Sequence, residues 1–186
     1  MLLSQDEARF PLVPTLVRTL GCKGHRPVVG SWDNKDLVYA FASVNCITGK
    51  LVRRVVKSPT AARRRTPHSK TRRMQQDFAR HLLDVGRVYP KQFFPQVVLT
   101  IDGAPWHRGP RIQKALARVP HVQLYRLPSY SPQLNVIERL WKRLRHHATH
   151  NRLFADSAEL QRTLGRHFTW LQAHRAEVRS LISASP

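Results

Sequence analysis

Short β-branched apolar runs alternate along this chain with longer stretches in which apolar residues recur at helical spacing. Val97-Val98-Leu99-Thr100-Ile101 is a nearly unbroken apolar run, as expected of a strand buried on both faces. Val122 to Leu127 forms a second strand, and the stretch at about Gly109–Arg118 between them suits a helix. Earlier, Asp36 to Cys46 and Leu51 to Lys57 are strand-like, and Ile47-Thr48-Gly49-Lys50 makes the turn of a hairpin. Met1 to Gln5 suits a short first strand delivering Asp6 and Glu7, after which Pro11 and Pro14 interrupt regular structure. Helical periodicity covers Ser69 to Val85 through Met74, Phe78, Leu82 and Val85, with Gly86 as the expected stop. From Asn135 a second stripe runs through Ile137, Leu140, Trp141, Leu144 and Ala148. A last helix, capped by Asp156-Ser157, is expected from Ala158 to Ser180, with Leu160, Leu164, Phe168, Leu171 and Val178 inward. The order predicts an α/β fold with a mixed central sheet flanked by helices.

The candidate chemistry lies where these elements end. Asp102 closes the strand Val97–Ile101, and an acid at the C-terminal end of a buried strand faces the crevice where open α/β sheets bind ligands. Glu138 sits in the first turn of the helix that follows the Pro- and Ser-rich turn Pro128–Pro132. Two carboxylates meeting in one crevice repel each other unless a cation joins them, and hard oxygen ligands favour Mg²⁺ or Mn²⁺. A second reading of Glu138 is open, because Asn135-x-x-Glu138 fits a capping box and Glu138 to Lys142 is a favourable i,i+4 pair. His107, five residues past Asp102, is either a substrate-facing residue beside the crevice or a packing contact. Trp106 either stacks on a base or belongs to the core.

Charge narrows the partner. Against 32 Lys+Arg stand 11 Asp+Glu, a formal net charge of +21, which predicts strong, salt-dependent binding to polyanions. Arg63-Arg64-Arg65, within the polar stretch Ser58–Arg73, is either a solvated loop or a grip on a phosphate backbone. Arg139, Lys142, Arg143, Arg145, His146 and His147 form a basic ridge expected on the solvent side of the Glu138 helix. His146 and His150 have metal-ligand spacing but lack a third ligand. Cys22 and Cys46 have no paired spacing, which suits a reducing, cytoplasmic compartment; Cys22-x-x-His25 is half of a zinc pattern without its other half. No run is long enough to span a membrane, and the N-terminus meets an acid too soon to act as a signal peptide.

The residues TIDGAPWHRG (100–109) and LPSYSPQLNVIERLWKRLR (127–145) resemble the catalytic core of DDE transposases of the mariner superfamily, particularly the bacterial insertion-sequence branch. The match rests on Asp102, His107, Tyr130, Ser131, Pro132, Leu134, Asn135, Ile137, Glu138 and Trp141. Gly103 stands where the family usually has Asn, and Val136 where it has Pro. The resemblance implies a ribonuclease H-like fold and a first acid at Asp6, in Gln5-Asp6-Glu7-Ala8-Arg9-Phe10, ahead of the rivals Asp33 and Asp36. It implies that Asp6, Asp102 and Glu138 hold two Mg²⁺ or Mn²⁺ ions that drive cleavage of transposon ends and their transfer to target DNA. Residues 1–155 would form that domain, with 156–186 a helix packed on it or on a partner. Implied DNA contacts are His107, Arg63, Arg64, Arg65, Arg139, Lys142 and Arg143. Double-stranded DNA is the implied partner, in a nucleoid-associated setting. No helix-turn-helix precedes the first strand, so a second copy or a partner carrying an N-terminal DNA-binding domain is expected, the chain being a truncated copy or half of a split frame. The rival readings are a nuclease of the same fold without strand transfer, and an inactive DNA-binding remnant.

Overall fold

The computed structural model describes residues 1–58, 67–128 and 135–183. In order these form β1 (Leu2–Pro11), β2 (Leu37–Asn45), β3 (Leu51–Lys57), α1 (Pro67–Val88), β4 (Val97–Ile101), α2 (Pro110–Arg118), β5 (Val122–Arg126), α3 (Ile137–Ala148), α4 (Ser157–Ala173) and α5 (Arg175–Ser183). The five strands make one sheet in the order β3-β2-β1-β4-β5. β1 pairs antiparallel with β2 and parallel with β4, and β4 pairs parallel with β5, so the sheet is mixed as expected. The β2–β3 hairpin turns through Gly49, whose φ of 68° and approach to the Arg175 carbonyl leave no room for a side chain.

Strand alternation sends side chains to two apolar layers. Ala8 and Phe10 of β1, with Val38, Ala40, Ala42 and Val44 of β2, meet Leu140, Trp141 and Leu144 of α3, Leu160, Leu164 and Phe168 of α4, and Val178 and Ile182 of α5. On the other face Leu3, Phe41, Val97, Leu99 and Ile101 meet Met74, Phe78, Leu82 and Val85 of α1 and Ile112 and Ala115 of α2. The sheet is thus sandwiched between helices, and even-numbered β1 residues face α3 while odd-numbered ones face α1.

Three expectations are corrected. β1 is a strand of 10 residues, because it pairs with β2 from Leu3 opposite Asn45 to Pro11 opposite Leu37; Asp6 therefore lies mid-strand rather than just beyond a short one. Gly86 does not stop α1, which continues to Val88. A Cβ at Gly86 would meet Val119 Cγ1 at 2.3 Å, so this glycine serves close packing of α1 against the end of α2. The last helix is two helices, broken at His174, which lies outside helical geometry and donates its backbone N–H to Leu171 and Trp170.

Candidate active site

The offset that places Leu2, Leu3 and Ser4 of β1 beside Val98, Leu99 and Thr100 of β4, carried two residues further, brings Asp6 level with Asp102. Asp6, an even-numbered residue, points toward α3. There the Trp141 Nε1–H donates to Asp6 Oδ2 at 3.0 Å, and the indole is wedged edge-on between Phe10 and Phe168. Burial pushes the Asp6 carboxyl up to about 7, and the charges of Glu7 and Asp102 add to this, while the Trp141 bond acts in the opposite sense.

Glu138 follows from the start of α3. The cap of that helix is Val136 with no side-chain cap bond, and the Asn135 side chain instead accepts from the Ser4 hydroxyl at 3.3 Å. The capping box is therefore not formed. Glu138 lines, with Asp6, Glu7, Arg139, Trp141, Lys142 and Arg145, a cavity of 480 Å³ between β1 and α3. Arg145 lies over the Phe10 ring, 5.5 Å from its centroid, within the fields of Asp6 and Glu138. The sequence put Arg145 on a solvent ridge, but the helical turn brings it under the carboxylates.

Asp102 takes up a tight local geometry. Its Oδ1 accepts from the Ala104 N–H at 2.9 Å and lies 3.0 Å from His107 Nδ1, while half of the side chain, 50%, stays exposed. His107 Nε2 lies 2.8 Å from Glu7 Oε1, with the His107 side chain 0% and the Glu7 side chain 4% exposed. Burial alone would lower the His107 pKa, but its bonds to Asp102 and Glu7 carry it up to about 9. The bond to His107 in turn holds Asp102 below the ordinary carboxylate range. The imidazole is also packed on Phe78, ring centroids 4.4 Å apart. The expectation that His107 faces DNA is thereby corrected: Glu7, on the odd face of β1, reaches it across the sheet and seals it inside. Trp106 packs on the apolar layer of α1 and α2, in keeping with the core reading.

The basic residues divide. Arg139 and Lys142 line the cavity beside Asp6 and Glu138. Arg143 turns to the other side of α3, where its Nε donates to Glu177 of α5 at 2.6 Å, so it is not a free cation on the expected DNA ridge. Arg63, Arg64 and Arg65, and the motif residues Tyr130, Ser131, Pro132 and Leu134, lie outside the described residues. Among the described residues no three His, Cys, Asp or Glu side chains converge on one metal position, since Asp102 is turned toward Ala104 and His107. The donor set nevertheless fits a hard dication. Asp6, Asp102 and Glu138 offer oxygens only, and a cation would favour the ionised form of Asp6 that burial, and then the charges of Glu7 and Asp102, now disfavour. Sequence reasoning had seen Trp141 only as a core and motif residue and had not linked Glu7 to His107.

The family model of the DDE superfamily endonucleases matches residues 1–161. The chain belongs to that family. A curated relative, the uncharacterized protein y4pE/y4sA of Sinorhizobium fredii (strain NBRC 101917 / NGR234), is 34% identical over 91 residues, 48% of this chain and 59% of the relative. Among solved structures, the Mos1 mariner paired end complex with Mn superposes with a TM-score of 0.62 at 15% identity, covering 97% of this chain and 53% of that one. The catalytic domain of Mos1 mariner transposase gives 0.58 at 13% identity, covering 97% and 78%. The fold of this DDE-family chain is therefore ribonuclease H-like, and the chain spans little more than half the length of the first of these structures and of the curated relative. Among the described residues no helix is long and apolar enough to cross a membrane.

Proposed function

We propose that this chain is the catalytic domain of a DNA transposase, in which Asp6, Asp102 and Glu138 bind two divalent ions and direct cleavage at transposon ends and transfer of the cut strand to target DNA. The observation that carries this reading is that the parallel register of β1 and β4 brings Asp6 level with Asp102 at the end of β4, while Glu138 of α3 lines the cavity that Asp6 lines. The likeness to mariner paired end complexes with Mn and with Mg supports Mg²⁺ or Mn²⁺ as the metal and double-stranded DNA as the partner. When bound, such ions polarise the scissile phosphate and sharpen an attacking water or DNA 3′-hydroxyl.

The chain's own residues supply the rest. Asp6 is kept at the cavity wall by the Trp141 N–H, and Asp102 is held just past the end of β4 by the Ala104 N–H and His107. Lys142, Arg139 and Arg145 flank the carboxylates and draw the phosphate backbone toward them. Glu138, exposed at the helix start, closes on the reacting phosphate from the side opposite the sheet. A second copy, or a partner with its own DNA-binding domain, would deliver the transposon end.

Joining separates a transposase from a nuclease of the same fold. A labelled duplex with a pre-cut 3′-hydroxyl end is incubated with plasmid, the chain and Mg²⁺. Covalent joining is expected, and its loss in Asp6→Asn is expected with it. Nicking without any joined product would leave the nuclease reading.

A further inference from the structure

A second cavity, of 720 Å³, lies across α3 from the catalytic one. Its walls carry Arg143 and His147 of α3, Arg152 of the following turn, and Arg166, His167 and Trp170 of α4. The apolar floor is Leu144 and Leu171. Trp170 is 43% exposed and is stacked on His174, ring centroids 4.0 Å apart and planes 18° from parallel. His167 Nδ1 donates to the Thr163 carbonyl at 3.0 Å, which leaves Nε2 to face a ligand. Arg143 is held by Glu177. Arg152 and Arg166 are exposed, held in place by the Phe154 ring (5.3 Å to its centroid) and by the Thr163 hydroxyl (3.4 Å). Burial and the positive charges of Arg143, His146 and His167 lower the His147 pKa against the pull of Glu177, so the pocket's cations repel one another as they stand.

We infer that this cavity is a second DNA site, which takes a single-stranded segment by seating an unpaired base on Trp170 and its phosphates on Arg152 and Arg166. The inference rests on the reading of the chain as a DNA-cutting domain and adds a place for the strand beyond the cut. Its size suits a nucleotide rather than a duplex, and an exposed indole ringed by cations is the usual platform for an unpaired base. A second copy of the chain is a poor occupant, because it has few acids to offer. Asp6, Glu7, Asp102 and Glu138 belong to the catalytic site. Asp33, Asp77, Asp84 and Glu177 are in ion pairs. Asp156 and Glu159 are bound up in the cap of α4, which leaves Asp36. The two cavities flank a single helix, about 10 Å across, which a strand spans in a few nucleotides at about 3.4 Å each.

The test is anisotropy of a labelled oligothymidine of about 12 nucleotides binding to the full chain in EDTA, with an abasic oligomer of equal length alongside. Arg152→Ala/Arg166→Ala is expected to bind both about tenfold more weakly and to lower the salt slope by about 1.4, roughly 0.7 for each phosphate no longer neutralised. Trp170→Ala is expected to weaken oligothymidine about fivefold or more and to leave the abasic oligomer unchanged, while Trp170→Phe restores most of the affinity. Parental affinity and salt slope in the arginine variant would overturn the site. Equal losses on both oligomers, or none, with Trp170→Ala would overturn the base seat. Nicking of supercoiled DNA in Mg²⁺ by the same preparations keeps the two readings apart. Binding at the pocket without nicking by the parent would sink the catalytic reading and keep this one; nicking with unaltered oligomer binding by the variants would do the reverse.

Discussion

The indole N–H of Trp141 donates to Asp6 Oδ2 at 3.0 Å, from α3 to the middle of β1. This bond ties the helix that carries Glu138 to the strand that carries Asp6, and it works against the burial that raises that carboxyl to about 7. Trp141→Phe should keep the edge-on contacts to Phe10 and Phe168 and lose only the bond. Hydrogen bonds to charged groups are worth about 1.5–3 kcal/mol, so the Mg²⁺ needed for half-maximal nicking at pH 7 is expected to rise about tenfold. The deficit should narrow toward pH 9, where Asp6 ionises regardless. An unchanged Mg²⁺ requirement would dissociate Trp141 from the site.

Asp6 also costs the metal-free protein stability. Its folded pKa stands above the unfolded value, so the native state binds more protons between about pH 4 and about pH 7, and stability falls as pH rises through that window. Asp6→Asn removes the charge. In EDTA it should stabilise the chain by about 2–4 kcal/mol at pH 8 and not at all at pH 3.5. Thermal melts of both proteins at the two pH values measure this, and equal melting temperatures at pH 8 would count against the buried, repelled carboxylate.

His107 has the same sign of linkage to pH in a higher window, but here it is the charged form that the fold stabilises. Its folded pKa of about 9 exceeds the ordinary histidine value, so its ion pairs with Glu7 and Asp102 stabilise fully below about pH 6.5 and fade as pH rises through about 9. The melting-temperature gap between the parent and His107→Gln in EDTA should be widest at pH 6 and shrink by pH 10. A gap independent of pH would mean that the ring acts through packing on Phe78 alone.

How legible was this site in the sequence? Asp102 and Glu138 were readable because an acid ending a buried strand and an acid opening a helix are positional signals. The extent of β1 was not, because Arg9 and Pro11 interrupt its apolar pattern and only pairing with β2 extends it. Periodicity marked Trp141 as buried but says nothing of where an indole N–H points. Likewise the spacing of His107 from Asp102 gave nearness along the chain, whereas its burial depends on Glu7 from a distant segment. The break at His174 carries no Gly or Pro to announce it.

DNA binding by the whole chain should depend steeply on salt and little on sequence, given the net charge of +21 and cavity-lining cations such as Lys142. Lys142→Ala should lower the slope of log affinity against log salt on duplex DNA by about one and weaken unrelated duplexes equally. Selective loss on one sequence would instead mark Lys142 as a base reader.

The proposed function requires that the carboxylates of Asp6, Asp102 and Glu138 form a metal-dependent DNA-cleaving site. The direct measurement is nicking of supercoiled plasmid in Mg²⁺ by the parent chain and by Asp102→Asn, with folding of the variant checked by its melting curve. The parent should nick, EDTA should stop it, and Asp102→Asn should fall at least about a thousandfold, as for loss of a group that stabilises a transition state. Nicking by a folded Asp102→Asn at the parental rate, or by the parent in EDTA, would overturn this metal site.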